Sequence, residues 1–177
     1  GLIGTQLSAT ATVTPVNLDA VPVNNTATWL VTIIGSFDPN DKTANTSHGN
    51  SSTIYLIDED EWVDYVVRFQ NTGSDTAFLV VITDTLPAQL DPATIRMGAG
   101  SHNFIWSLSG QGILRWTFPN ILLPDSNVNE AASHGFVSFR IRPHEPLAPG
   151  TVISNTANIF FDFNDPVITE PSVLVAE

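Results

Sequence analysis

Apolar and polar side chains alternate along most of the chain, and this alternation predicts β-strands. Val63, Tyr65, Val67 and Phe69 stand at every second position between Val63 and Gln70, which is typical of a strand with one buried face. Comparable runs occur at residues 78–82, 113–118, 137–142 and 157–161. No run shows helical apolar spacing free of Pro, Gly or a β-branched cluster. The pattern predicts an all-β chain, with short strands and turns arranged as a sandwich with Greek-key links.

The pattern also predicts three parts of the chain. Residues 1–36 hold two strands, Thr5 to Val13 and Thr26 to Ile34, and two strands alone are marginal in water. They are interpreted as the end of a preceding repeat, as an edge of the sandwich, or as donor strands for a neighbouring molecule. Residues 37–170 form the sandwich, and residues 171–177 are predicted to be a linker or tail.

Charge and composition exclude several classes of function. The 177 residues carry a net charge of −12, with six Lys and Arg against eighteen Asp and Glu, so the basic surface of a nucleic-acid binder is missing. No apolar stretch approaches 18 residues, which predicts no membrane insertion. The chain has no cysteine, which excludes thiolate catalysis, disulfides and Cys-zinc sites.

Several blocks of sequence carry a family resemblance between Ser36 and Thr169. Residues 36–42 read SFDPNDK, residues 68–73 read RFQNTG, and residues 75–78 read DTAF. Further blocks are DTLP at 84–87, ILLPDS at 121–126, SHGFVSFR at 133–140 and FFDFN at 160–164. In this order the blocks resemble a domain of large secreted proteins of Bacteroidetes bacteria. They also resemble, more loosely, an immunoglobulin-like repeat of bacterial surface proteins; Asp165 before Pro166 departs from the Pro-Pro often found there.

The resemblance implies an immunoglobulin-like β-sandwich without enzymatic activity. It implies a structural module of a secreted or cell-surface protein: a stalk, an adhesin repeat, a spacer before a type IX secretion sorting domain, or a filament subunit assembling by strand exchange. The expected partners are neighbouring domains of the same precursor or identical subunits. The alternative is a carbohydrate-binding module attached to a secreted enzyme, with glycans as partners.

Two clusters of oxygen-bearing side chains are candidates for a calcium site. Asp38, Asn40 and Asp41 lie near the start of the sandwich, and Asp162, Asn164 and Asp165 lie near its end. Calcium takes six to eight oxygen ligands, and carboxylate and amide oxygens suit it. The alternative is that these residues form Asx-turns before strands, which need no metal. No other cofactor is expected.

Lys42 is the only lysine in the chain, and two hypotheses apply to it. Related surface sandwiches join a lysine to an asparagine through an isopeptide bond beside a buried acid. Asn155 shares strand parity with Ala157 and Ile159, which predicts a buried amide, and Asn158 and Asn164 are further candidates. The simpler hypothesis is an exposed ion pair between Lys42 and Asp38 or Asp41.

The chain has four tryptophans that are candidates for a sugar-stacking platform: Trp29, Trp62, Trp106 and Trp116. Trp29 and Trp62 stand at strand starts and are the candidates for exposed stacking surfaces, whereas Trp116 has the parity of the core. Packing in the core or at an edge is the alternative for each ring.

The sequence motifs do not indicate a catalytic site. Ser-His pairs occur at 47–48, 101–102 and 133–134, but neighbouring residues on a strand point to opposite faces. The chain lacks a G-x-S-x-G elbow and an H-E-x-x-H helix. The block at 133–135 is interpreted as a structural corner.

Overall fold

The computed structural model describes residues 6–14, 21, 24–32 and 39–177. In this part of the chain the regular secondary-structure elements are β-strands. The strands are β1 (Gln6–Thr12), β2 (Thr26–Thr32), β3 (Asp41–Thr46), β4 (Ile54–Tyr55), β5 (Val63–Gln70), β6 (Ala77–Thr85), β7 (Leu90–Gly100), β8 (Ile105–Ser109), β9 (Ile113–Leu123), β10 (His134–Pro143), β11 (Val152–Asn155), β12 (Ala157–Phe161), β13 (Val167–Ile168) and β14 (Ser172–Ala176). No helix among the described residues is long and apolar enough to cross a membrane.

The chain divides into two compact units, Gly1–Asp38 and Pro39–Glu177. In the first unit β1 and β2 pair antiparallel and form a sheet of their own. Its apolar side chains are largely open to solvent: Trp29 is 72% exposed and Leu30 is 59% exposed. A two-stranded sheet buries too little apolar surface to be stable alone, so the interpretations of this unit as the end of a repeat or as edge or donor strands stay predictions.

The second unit is a sandwich built mainly from two sheets. One sheet has four strands in the order β3-β5-β10-β7, and the other has five in the order β13-β12-β6-β9-β8. A third, small sheet has the order β11-β14-β4, and its β14–β4 pair is parallel. The predicted all-β, immunoglobulin-like sandwich is confirmed.

The inner faces of the two large sheets supply one continuous core. The strand alternation read from the sequence places Tyr65 and Phe69 of β5, Trp116 and Phe118 of β9, and Phe139 of β10 inside, all with exposures of 0–2%. Their rings pack on one another; the Phe69 and Phe118 centroids, for example, are 5.3 Å apart in an edge-on arrangement. Buried apolar area of this kind is the main stabilising contribution.

The predicted linker at residues 171–177 is a strand instead. Residues 172–176 form β14, which pairs with β11 and β4, and Leu174 and Ala176 are fully buried. The short length of the segment and the preceding Pro171 are typical of a linker, so the prediction was wrong. Leu174 and Ala176 lie two residues apart, on one face of the strand, and both pack in the core beside β11.

The SHG block at 133–135 lies at a corner of the core, as its interpretation proposed. Ser133 is fully buried, its carbonyl accepts the Asn71 N–H, and its Oγ accepts a hydrogen bond from Gln70 Nε2. Gly135 stands against Phe69, and a Cβ there would lie 2.2 Å from the ring. Any larger residue at 135 would displace this core aromatic.

Candidate functional site

Lys42 lies on the inner face of β3, where Lys42, Ala44 and Thr46 are all buried. Its side chain is completely inaccessible to solvent. A buried lysine is uncommon because its ammonium group loses its hydration. The remaining contacts of Lys42 therefore decide what the site can do.

Asp84 is the ionic partner of Lys42. It lies near the end of β6 in the opposite sheet and is fully buried. Lys42 Nζ donates a hydrogen bond to Asp84 Oδ2. The pair connects the inner faces of the two large sheets.

Asn155 completes a group of three. It ends β11, is 2% exposed, and its Nδ2 lies 3.5 Å from Asp84 Oδ2. The amine of Lys42 and the amide of Asn155 thus meet at one carboxylate oxygen. This brings together residues from three different sheets.

Aromatic rings form the wall of this site. Lys42 Nζ lies 4.6 Å from the centroid of the Tyr65 ring and 5.5 Å from that of Phe139. The two rings stack with their centroids 5.2 Å apart. They exclude water from the amine and leave Asp84 as its charged partner.

Burial shifts the pKa values of Lys42 and Asp84 in the directions that favour the uncharged form of each side chain. Desolvation lowers the pKa of Lys42 to about 8, against the opposing attraction of Asp84. Desolvation also raises the pKa of Asp84, and the nearby Lys42 offsets only part of this. The site therefore favours an unprotonated amine beside a protonated acid more strongly than water does.

Three polar atoms around the pair lack a hydrogen-bond partner among the described residues: Tyr65 Oη, Asp84 Oδ1 and Asn155 Oδ1. Leaving such atoms unsatisfied in a core costs about 1–3 kcal/mol each. Unpaired buried polar groups of this kind call for an explanation, and a reactive role is one of the accepted ones.

The arrangement has the ingredients of amide exchange. A nucleophilic amine, a carboxamide and an acid that can shuttle protons lie together in the core, out of contact with solvent. Burial that lowers a lysine pKa activates its amine as a nucleophile. A neighbouring carboxylic acid can polarise the amide carbonyl and protonate the leaving nitrogen.

The simpler hypothesis for Lys42 is wrong where the structure describes it. Asp41 points outward and accepts two hydrogen bonds from Arg68, at 2.9 and 2.7 Å, while Lys42 points inward. Adjacent strand residues face opposite sides, so the two cannot pair. Asp38 lies outside the described residues.

The other asparagine candidates do not reach the site. Asn158 is on the outward face of β12, between the buried Ala157 and Ile159. Asn164 is exposed in the turn after β12. Of the candidates, the structure brings only Asn155 beside Lys42 and Asp84.

The predicted calcium ligands have other roles in the structure. Asn40 Oδ1 accepts the Gln70 N–H, and Asp162 Oδ1 accepts the N–H groups of Phe78 and Leu79. Asp165 is exposed. In the part of the chain that the structure describes, no three acidic or histidine side chains are grouped to hold a metal. The geometry thus favours backbone-bonding turns at both clusters, the alternative stated above.

Of the two tryptophans predicted to form an exposed sugar-stacking surface, one is buried in the structure. Trp62 is only 7% exposed, because the guanidinium groups of Arg96, Arg140 and Arg142 lie over its ring at 4.6, 5.6 and 4.3 Å. Trp29 is exposed, but on the separate N-terminal unit. Cationic side chains can cover a tryptophan in this way through cation–π contacts, which sequence parity does not reveal.

Sequence reasoning missed Asp84 and Tyr65 as members of the site. Asp84 continues the inward parity of Val80 and Ile82 on β6, and an aspartate at an inward position is a usable signal. The apolar run read from the sequence ends at residue 82, so it does not include Asp84. Tyr65 was assigned to the core without regard to its hydroxyl.

The fold and the site define an immunoglobulin-like β-sandwich with a buried amine–acid–amide cluster in its core. The chain belongs to the family described as Domain of unknown function (DUF7619), whose model matches residues 38–173. The search of curated proteins found no match.

Solved structures of bacterial surface proteins are similar in fold. The full-length major pilin SpaD of Corynebacterium diphtheriae aligns with 14% identity and a TM-score of 0.51, over 83% of this chain and 42% of the pilin. The major pilin SpaA of the same species has 14% identity and a TM-score of 0.49, over 81% of this chain and 44% of the pilin. The collagen-binding domain of a Staphylococcus aureus adhesin has 11% identity and a TM-score of 0.48, over 80% and 99% of the two chains. The likeness to SpaD shows a shared fold, and this chain spans less than half of that pilin.

Proposed function

We propose that this domain is a non-catalytic, load-bearing module of a secreted or cell-surface bacterial protein, held together by an intramolecular isopeptide bond between Lys42 and Asn155. The observation that carries the proposal is the shared contact of the Lys42 amine and the Asn155 amide with one oxygen of buried Asp84. An ion pair needed only for stability would gain nothing from a buried amide with an unpaired carbonyl.

The reaction balances without any cofactor. A proton passes from Lys42 to Asp84, and the neutral Nζ attacks Cγ of Asn155. The Nζ–Cγ bond forms, the Cγ–Nδ2 bond breaks, and Asp84 carries the proton that Nζ loses to the departing nitrogen. The departing nitrogen also takes the proton that Asp84 first received and leaves as ammonium. No atom is oxidised or reduced, and Asp84 returns to its carboxylate form.

The bond would connect parts of the fold that no strand ladder joins. Lys42 belongs to the four-stranded sheet and Asn155 to the small sheet, which are separate hydrogen-bonded sheets. It would close a covalent loop on the order of 100 residues, and a link of that span restricts the unfolded chain by about 4–5 kcal/mol in the chain-entropy model. Tension entering at β3 would pass to β11 through covalent bonds instead of through hydrogen bonds.

This geometry suits a stalk, a spacer or a subunit of a filament. The fold shared with the pilin SpaD supports such a role. The proposed partners are neighbouring domains of one precursor or further copies of the chain. The Bacteroidetes origin and the adjoining type IX sorting domain stay part of the proposal.

Intact-mass spectrometry of the full chain tests the bond. We expect a mass about 17 Da below the sequence mass, because one ammonia is lost. Since Lys42 is the only lysine, proteolysis should yield one branched peptide joining residues 42 and 155, and amine reagents should label no side chain.

Matched variants make the test specific. Lys42→Arg and Asn155→Ala should keep their full sequence mass. Asn158→Ala, which alters an asparagine on the outward face of β12, should keep the deficit. A folded wild-type chain of unshifted mass would refute the proposal.

A further inference from the structure

The unpaired atoms of the site separate into donors and one acceptor once the acid is protonated. Lys42 Nζ and Asn155 Nδ2 both donate to Asp84 Oδ2. The proton of neutral Asp84 must therefore lie on Oδ1, which makes Oδ1 a donor. The hydroxyl of Tyr65 is a second donor without an acceptor, and Asn155 Oδ1 is an acceptor without a donor.

The Tyr65 hydroxyl is a candidate hydrogen-bond donor for the side-chain amide of Asn155. Its residue is fully buried, its ring covers the Lys42 amine at 4.6 Å, and stacking on Phe139 fixes the ring plane. Burial and the charge of Asp84 raise the pKa of Tyr65, against the opposing effect of the Asn155 side chain. The hydroxyl therefore keeps a proton to donate, and the Tyr65 ring and Asn155 both border the Lys42–Asp84 pair.

We propose that the Tyr65 hydroxyl and the Asp84 carboxyl together form a two-donor oxyanion site for Oδ1 of Asn155. This inference rests on the isopeptide bond proposed above. As Nζ attacks Cγ, negative charge develops on Oδ1, which has lone pairs for both donors. Donors fixed in a dry site stabilise that charge most where it develops, in the tetrahedral intermediate.

If the Tyr65 hydroxyl served only to stabilise the fold, its removal would lower the stability and leave the rate of bond formation unchanged. A tyrosine kept for stability satisfies its hydroxyl, as Tyr55 does by donating to the carbonyl of Asp60 at 2.5 Å. The Tyr65 hydroxyl has no such partner among the described residues. Removing it should therefore leave the stability of the uncrosslinked fold unchanged or raise it, yet slow the reaction.

The test follows bond formation in the full chain after cell-free synthesis, by intact mass over time. We expect Tyr65→Phe to lose ammonia about 100-fold more slowly than the wild type, the usual effect of deleting one oxyanion donor. Tyr55→Phe, the matched control, should react at the wild-type rate. Global replacement of tyrosine by 3-fluorotyrosine in the Tyr55→Phe chain, which strengthens the remaining donor, should accelerate the reaction.

Stability is measured separately in the Lys42→Met background, where no bond can form. There Tyr65→Phe should unfold at the same or a higher temperature, which excludes misfolding as the cause of slow reaction. Equal rates for Tyr65→Phe and wild type would overturn the role of Tyr65 while leaving the bond intact. A wild-type chain that never loses ammonia would overturn the bond, and the role of Tyr65 with it.

Discussion

The two faces of the β3-β5-β10-β7 sheet border clusters with the same three kinds of side chain, and the consequences are opposite. On the inner face a cation, a carboxylate and aromatic rings meet at Lys42, Asp84 and Tyr65, all buried. On the outer face Arg140 pairs with Asp64 at 2.9 and 2.8 Å beside Trp62. Water reaches the outer pair, whose side chains are 43% and 39% exposed.

Solvation decides what each cluster does. On the outer face the hydrogen bonds from Arg140 to Asp64 raise the pKa of Arg140, so the charges are kept. On the inner face desolvation lowers the pKa of Lys42 and raises that of Asp84. The comparison shows that dehydration, and not the presence of a cation, an acid and a ring alone, shifts the pKa values of the inner pair toward the uncharged forms.

The largest effect is expected from removing the inner acid. Asp84→Ala leaves a buried lysine without its partner, which costs about 3–5 kcal/mol, and prevents the crosslink, which costs about 4–5 kcal/mol more. Denaturant unfolding with parallel mass measurement should show an uncrosslinked chain that is barely stable or unfolded.

A double variant separates the two losses. Lys42→Met with Asp84→Leu removes both charges and the bond, so it should be less stable than the wild type but clearly more stable than Asp84→Ala alone. If the single and double variants unfold at the same denaturant concentration, the buried charge of Lys42 is not the cause of the low stability of Asp84→Ala.

A smaller effect, with a distinct dependence on pH, is expected from Asn155→Ala. This variant keeps the Lys42 amine free, with a pKa of about 8 in the folded chain against the ordinary lysine pKa of 10.5. Between these values the unfolded chain binds more protons than the folded one, so stability must rise with pH. We expect a gain of about 2 kcal/mol between roughly pH 8 and 10 by urea denaturation.

The wild type is the natural control for this pH dependence. In the crosslinked chain Lys42 Nζ is an amide nitrogen and does not titrate. Its stability should therefore lack the rise seen in Asn155→Ala. The window ends near pH 10 because the raised pKa of Tyr65 acts in the opposite direction above it. An equal rise in both proteins would contradict the bond.

The smallest effect belongs to the outer face. Asp64→Ala should cost about 0.2–1 kcal/mol, because exposed ion pairs contribute little. The cost should shrink when the ionic strength is raised from about 0.05 M to about 1 M, because salt screens exposed charges. A cost above about 2 kcal/mol that salt does not change would mean that this pair is as dehydrated as the inner one.

The sequence by itself determined the all-β class and, in several strands, the side that faces inward. Alternation in β5, β9, β10 and β12 predicted the aromatic and aliphatic core because a pleated strand turns successive side chains to opposite faces. The same parity placed Asn155 inside. It failed for β14, whose burial depends on packing beside β11 and β4.

Only the tertiary structure decided the chemistry of the site. Asp84 stands 42 residues from Lys42 and 71 from Asn155 along the chain, and the three strands belong to three sheets. Parity gives the face of each strand but not which inward positions of different sheets meet. The pKa shifts likewise depend on complete burial, because the free energy of a charge depends on the water and partners around it.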